Sequence, residues 1–307
     1  CDHSDIDIGM GKCNKCERQF VATISTDGNA PTGYDTLADC LDSITADTGN
    51  YVKIYQDIGD ASATAILDTI DVKHNVMIDL NGHKLNNIKL GVNKLGVNKD
   101  VTLTLTGTAG SYVTQVYVRK GGGSFIIDSE ANVEFNTIFV EDSARLAVND
   151  GAKVTTEQLT VIASVNDDGT TTTSVKLATG MKLGGLTYHR QNNSGALKLG
   201  NLLDVTRQAL RREDNGNYLD LYKEYGSMGY SVALTVVEHT DADHKYGSGT
   251  GKCEECGKPC EHGGDINTDT GICSICGAVV SVALYTDGDG NLQYVDTDEL
   301  HSLLNEY

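Results

Sequence analysis

Apolar residues in this chain recur mostly in short runs, seldom at helical spacing. From Tyr51 to about Leu199 they mark strands such as Val52-Lys53-Ile54-Tyr55, Val76-Met77-Ile78-Asp79-Leu80, Val101-Thr102-Leu103-Thr104-Leu105, Phe125-Ile126-Ile127 and Leu146-Ala147-Val148. Apolar and polar positions alternate in several of them, the period of a strand with one buried face. The strand centres fall near 54, 78, 103, 126 and 147, at intervals of 21 to 25 residues. A second series, near Ile88, Val116, Ile138 and Leu159 to Val161, runs between them. Turn residues such as Asn81-Gly82 and Asn149-Asp150-Gly151 separate the segments. A sandwich would also give many short strands, but not so readily two interleaved series at nearly one spacing. A coil that returns each strand beside its predecessor does, which predicts a mainly β chain wound as a parallel β-helix. The scarcity of proline (two residues) fits unbroken ladders.

Outside the coil, Phe20 to Ile24 reads as a strand turning at Asp27-Gly28. A helix follows over 36–45, capped by Asp35 or Thr36, with Leu37, Leu41 and Ile44 on one face; it would cover an open end of the coil. Cys40 lies on the same face and reads as a small buried side chain. Beyond the coil, Asn201 to Arg212 predicts a second helix, with Asn201 as cap and Leu202, Val205, Ala209 and Leu210 on one face. A turn at Asp214-Asn215-Gly216-Asn217 and a strand over Ser231 to Val237 complete this region.

Charge then narrows the partners. Forty-three acidic and 24 basic residues leave a net charge of −19 over 307 residues. That balance argues against nucleic acid and against an anionic membrane surface. No run approaches the roughly 18 apolar residues of a membrane-spanning helix, so no membrane insertion is expected. The chain opens on Cys1, already inside a motif, which predicts a piece excised from something longer.

Eight of the nine cysteines sit at the two ends of the chain. The first cluster is Cys1-x-His3-x9-Cys13-x2-Cys16, and the last is Cys260-x-His262-x10-Cys273-x2-Cys276. Each offers three thiolates and an imidazole, a set suited to a tetrahedral structural zinc, with Gly11 and Gly271 placed for the turn of the C-x2-C pair. A middle cluster reads His244-x8-Cys253-x2-Cys256, with Ala242 where its neighbours carry a cysteine. His239 could complete it as a Cys2His2 set; an incomplete site or a water ligand fits the same spacing. Redox or disulfide cysteines of a secreted protein are the competing reading, but the histidine recurs in register with the C-x2-C pair. Modules this short would fold on their metal.

An internal repeat orders the whole. Cys16 matches Cys276, Asp27 matches Asp287 and Tyr34 matches Tyr294, all at an offset of 260 residues. The chain thus holds one unit and the start of the next, as in a tandem array. The expected organisation is a zinc module over 1–19, a capped β-helix with a helix and strand region over 20–238, zinc modules over 239–258 and 259–278, and the next unit from 279 to 307.

Leu37-Ala38-Asp39-Cys40-Leu41, Val52-Lys53-Ile54-Tyr55 and Met77-Ile78-Asp79-Leu80-Asn81-Gly82-His83-Lys84-Leu85 resemble pectate-lyase-like right-handed β-helix proteins, common in very large surface proteins of gut Firmicutes. Leu202-Leu203, Asn217-Tyr218, Val236-Val237-Glu238-His239 and the cysteine modules look like the same architecture. The resemblance implies an extracellular adhesin on a bacterial cell surface. A subset similar in its tandem units consists of immunoglobulin-binding B-cell superantigens. The expected partner is therefore a host or microbial surface protein, specifically immunoglobulin or a mucin-type glycoprotein.

The fold also hosts polysaccharide lyases and glycoside hydrolases, whose sites need clustered carboxylates beside a base. The groups available are Arg119, Lys120, Arg145 and Arg190 with Asp128, Glu130, Glu141 and Asp142. Their scatter reads as solvated surface, and the lack of tryptophan removes the ring that best stacks on sugars. No catalytic residues are assigned; a pure structural spacer is the third class. Tyr218, Tyr222, Tyr225 and Tyr230 suit either an interface or packing against the coil end. Asp287-x-Asp289-x-Asn291 begins like a calcium loop but has Leu292 where that loop needs glycine, so a polar hairpin is expected.

Overall fold

The computed structural model describes residues 1–27, 29–59, 69–85, 94–192, 195–246, 251–260, 267, 270–279, 283–286 and 292–295. The alternation read in the sequence becomes alternating burial. Val76–Asp79 and Ser124–Ile127 bury every second residue, as pleated strands with one face on a core must.

Two large sheets carry the chain. The eight-stranded one runs, in spatial order, Thr32–Tyr34, Ala22–Thr26, Asn50–Ile54, Val76–Asp79, Thr102–Thr106, Ser124–Ile127, Arg145–Val148 and Ser174–Lys176. From Asn50–Ile54 onward each neighbour is parallel. Only the opening strands, around Ala22–Thr26, are antiparallel. The second sheet stacks Thr69–Val72, Lys94–Val97, Ser111–Val118, Asn132–Val140, Lys153–Ala163 and Leu186–Arg190, again in parallel. The chain visits the sheets in turn, which is why two strand series interleave in the sequence. Ile88, expected in the second series, lies outside the described residues.

Parallel register places like residues above like. Val76, Leu103, Phe125, Leu146 and Val175 form one buried row of the first sheet. Val72, Val97, Val118, Val140, Val161 and Tyr188 form a buried row of the second. The core lies between the sheets: the Phe125 ring of one meets the Phe135 ring of the other edge to face, 6.0 Å between centroids. Turns close each passage. Asn81 and Gly82 both take positive φ (49° and 82°), a pair of values that Asn-Gly tolerates and most residues do not.

The first helix forms as Leu37–Asp42, with Thr36 as its cap. The Thr36 hydroxyl oxygen accepts from the Asp39 amide at 3.0 Å. Leu37, Cys40 and Leu41 are buried, and the helix packs on Thr69–Val72 and Thr32–Tyr34, the first edge of each sheet.

The second expected helix, over Asn201–Arg212, is not formed. A 3-10 turn at Leu199–Leu202 is followed by a strand, Gln208–Arg212, antiparallel to Leu234–Glu238. Asp204 breaks the helical pattern: its carboxylate accepts from the Thr206 amide and hydroxyl, and the Gln208 side chain accepts from the Asp204 amide. Short polar side chains that bond the local backbone favour turns over helix interiors. Pairing with Leu234–Glu238 then buries Ala209 and Leu210. The strand expected over Ser231 to Val237 is Leu234–Glu238, which also pairs with Lys182–Leu183 and so closes the far end of the second sheet.

Ala283–Thr286 and Leu292–Val295 pair antiparallel, as the expected hairpin requires; Asp287, Asp289 and Asn291 lie outside the described residues. Among the described residues no helix is long and apolar enough to cross a membrane.

Candidate metal centres

Three short segments fold alike: 11–20, 251–260 and 271–279. Each opens on a glycine of positive φ, Gly11 (67°), Gly251 (65°) and Gly271 (67°), two residues before a cysteine. In each, that cysteine donates its amide to a carbonyl five residues on: Cys13 to Arg18 (3.0 Å), Cys253 to Lys258 (2.8 Å) and Cys273 to Ala278 (2.9 Å). Its carbonyl accepts from the residue after the second cysteine, Glu17, Gly257 or Gly277, at 2.8 to 2.9 Å. The chain thereby curls around the C-x2-C pair and presents two sulfurs from one turn.

At the N-terminal end Cys1, His3, Cys13 and Cys16 converge, each with a ligand atom within 4.8 Å of the others. Cys1 Sγ lies 3.5 Å from Cys13 Sγ, and His3 Nδ1 lies 3.4 Å from Cys16 Sγ. His3 holds the left-handed conformation, φ 49°, uncommon for a residue with a side chain. Contact with the His3 imidazole draws the Cys13 thiol down to about 7. The module docks through Tyr55: its hydroxyl donates to the Ile8 carbonyl at 2.8 Å, and its ring covers Gly11 so closely that a Cβ there would come within 2.3 Å. Cys1 and Cys16 remain exposed.

In the middle cluster His239, His244 and Cys256 converge within 4.8 Å, and Cys253 Sγ stands 3.9 Å from His239 Nε2. His239 thus stands where the sequence left a ligand open. The strand Leu234–Glu238 delivers it, and its amide donates to the Arg207 carbonyl at 2.8 Å. Glu255 Oε2 lies 4.0 Å from His239 Nδ1, on the ring nitrogen turned away from Cys253, while Lys245 binds the other Glu255 oxygen at 2.7 Å. Cys253 and Cys256 belong to the main hydrophobic core. Burial raises the Cys256 thiol to about 11, so an adjacent cation would have to draw off its proton.

Cys260, Cys273 and Cys276 converge at the C-terminal end, with Cys260 Sγ 3.8 Å from Cys273 Sγ, and form a small core with Ala278. His262 lies outside the described residues.

Among the described residues no cysteine is disulfide-bonded. The donor set suits a tetrahedral ion. Metal–sulfur bonds of about 2.3 Å and metal–nitrogen bonds of about 2.0 Å give tetrahedron edges of about 3.8 Å between sulfurs and about 3.5 Å between sulfur and nitrogen. The four separations above, 3.5 and 3.8 Å for sulfur pairs and 3.4 and 3.9 Å for mixed pairs, bracket those edges. These clusters could hold metal ions.

The remaining sequence readings resolve into packing and pairing. Cys40 is buried in the core, and burial pushes its thiol to about 12. Arg119 donates to Asn98 and Asp71, each at 2.7 Å. Glu141 accepts from the Tyr117 hydroxyl and the Lys120 amide. Asp142 is buried under the Thr172 hydroxyl and the Ser164 amide. Asp128 accepts from the Glu130 amide within a turn, and Arg145 is exposed. Tyr218, Tyr222, Tyr225 and Tyr230 pack against the main core, and the Tyr218 ring also lies 5.1 Å from that of His239.

His74, which shows no partner pattern in the sequence, meets Asp47, 27 residues earlier, and His83 meets Asp57, 26 residues earlier. Gly251 and Glu255 also shape the middle cluster. The repeated G-x-C-x2-C pattern was a signal for Gly251; nothing in the sequence marks Glu255. Comparison with protein-family models, with curated proteins and with solved structures returns no match, so the three clusters speak through their own geometry.

Proposed function

We propose that this chain is a non-catalytic binding unit of a bacterial surface protein: a right-handed parallel β-helix carrying structural zinc modules, repeated in tandem. The chain's alternation between two parallel sheets supports the β-helix, because each pair of visits advances one rung and sets like residues above like. The tetrahedral spacing of sulfur and nitrogen donors, with no solvent position required where four protein ligands meet, supports structural zinc.

One observation carries the non-catalytic reading. Three of the charged groups that hydrolysis or elimination would need, Arg119, Glu141 and Asp142, are engaged in tying one rung to another. Arg119 reaches Asp71, 48 residues earlier; Asp142 reaches Thr172, 30 residues later. A base or acid held that way serves the scaffold. What the coil offers a partner is a long, rigid face, and the charge of −19 favours a neutral or basic protein over an acidic polysaccharide. Immunoglobulin is the specific partner proposed, and mucin-type glycoprotein the next.

Pull-down of the full chain with immunoglobulins and mucins, beside a reducing-sugar screen on pectins and host glycans, tests this reading. Saturable binding without turnover is the expected result. Turnover of a glycan that disappears in Arg119→Ala or Arg145→Ala would replace it with a polysaccharide lyase or hydrolase. Binding to none of these ligands would leave a structural spacer.

A further inference from the structure

We propose that the middle and last cysteine clusters are a thermodynamically coupled pair, in which a metal ion in the middle cluster prepares the last one to bind. The proposal rests on the reading of both clusters as metal centres.

The coupling has two physical carriers. The first is Cys260, a ligand of the last cluster whose backbone belongs to the middle turn. Its amide donates to the Gly251 carbonyl at 2.8 Å, beside the bridge between Lys252 and Pro259. That pairing is the closing arm of the same turn in which Cys253 bonds Lys258 and Gly257 bonds Cys253, at 2.8 and 2.9 Å. An ion gripped by Cys253 and Cys256 therefore holds the arm that positions Cys260, 3.8 Å from Cys273. The second carrier is Tyr246. It bridges to Cys253 by backbone pairing and lies 5.8 Å, ring to ring, from His244. Its side chain packs against both the main core and the small core of Cys260, Cys273, Cys276 and Ala278.

With the middle cluster empty, binding at the last must order Cys260 and the arm that bears it. With the middle cluster filled, that ordering is already done, and the last ion binds more tightly. Linkage makes the effect reciprocal, and couplings of this kind run to about 5- to 150-fold in affinity. The N-terminal cluster shares no residue with this pair and docks elsewhere, on Tyr55, so it serves as an internal reference.

The test is thiol alkylation of the full chain at buffered free zinc, read peptide by peptide in a mass spectrometer, which gives a separate loading curve for each cluster. His244→Ala removes a middle ligand; Tyr246→Ala keeps every ligand and removes the shared packing. Protection of Cys260, Cys273 and Cys276 should require at least about fivefold more free zinc in His244→Ala. Tyr246→Ala should shift it in the same direction by less, with Cys1, Cys13 and Cys16 unmoved in both variants. If wild type loads all three clusters and neither variant moves the last, the coupling is wrong while the metal centres stand. An equal shift at all three clusters would reflect general loosening and would also overturn it. If zinc never protects Cys260, Cys273 and Cys276 in wild type, the metal reading falls and the coupling with it.

Discussion

Removing metal from the middle cluster should loosen two strands of the main body, beyond the terminal module. Cys253 and Cys256 are part of the central core, and their turn is bonded to it: the Leu221 amide donates to the Cys256 carbonyl at 3.0 Å. Gly257 lies so close to Asp220 that a Cβ would come within 2.3 Å of its carboxylate. His239 extends directly from Leu234–Glu238, the strand that pairs with Gln208–Arg212. A site that binds only the folded state, with free ion a thousandfold above Kd, contributes about 4.1 kcal/mol. That corresponds to a loss of up to about a thousandfold in amide protection where local opening exposes the site. Hydrogen exchange read by mass spectrometry, with and without chelator, should show this loss in Gln208–Arg212 and Leu234–Glu238. Ser124–Ile127, in the middle of the first sheet, should keep its protection. The N-terminal ion should leave first, because Cys1 and Cys16 are exposed while His239 and Cys256 are buried. If metal analysis shows every site stripped and the two strands keep their protection within about threefold, the middle cluster does not hold the end of the fold together.

Three further outcomes are expected. Gly11→Ala should destabilise the docked N-terminal module by more than Gly216→Ala destabilises its turn: both glycines have positive φ, costing about 1–2 kcal/mol, but only Gly11 faces a ring, while Gly216 has open space around it. Tyr55→Ala should erase the excess in a double-mutant cycle followed by denaturant melts. Phe125→Ala should cost about 3–5 kcal/mol in global stability, and the Phe125/Phe135 pair should show about 0.5–1.5 kcal/mol of coupling when both are changed to leucine; additivity would contradict the edge-to-face contact. Burial opposes ionisation of Asp142, but the Thr172 hydroxyl, the Ser164 amide and Lys120 outweigh it and hold its carboxyl below the ordinary value. Its pKa is thus lower folded than unfolded, so its stabilisation is present above the unfolded value and fades as pH falls through the folded one. Acid melts of Asp142→Asn should lack that part of the pH dependence, and an unchanged acid limb would count against it.

Much of the two parallel sheets was legible because both signals are local. Alternation of Val, Ile and Leu with Thr and Lys marks which face of each strand is buried, and the near-constant spacing marks the return of the chain. The cysteine clusters were legible for the same reason, since C-x2-C presents two sulfurs from one turn. Asn201–Arg212 misled because its apolar spacing fits a helix as well as a strand. The decision came from Leu234–Glu238, a partner about 25 residues away whose backbone groups needed pairing.

The sequence by itself thus determined most of the strands, their turns and most of the side chains that converge as candidate metal ligands, all matters of spacing along a few residues. Tertiary structure decided what spacing cannot encode. It brought His239 to Cys253 across 14 residues, set Tyr55 against a glycine 44 positions before it, and occupied Arg119 with a carboxylate 48 residues away. Each of these depends on which strand lies beside which, and that register exists only once the two sheets have stacked and buried their common core.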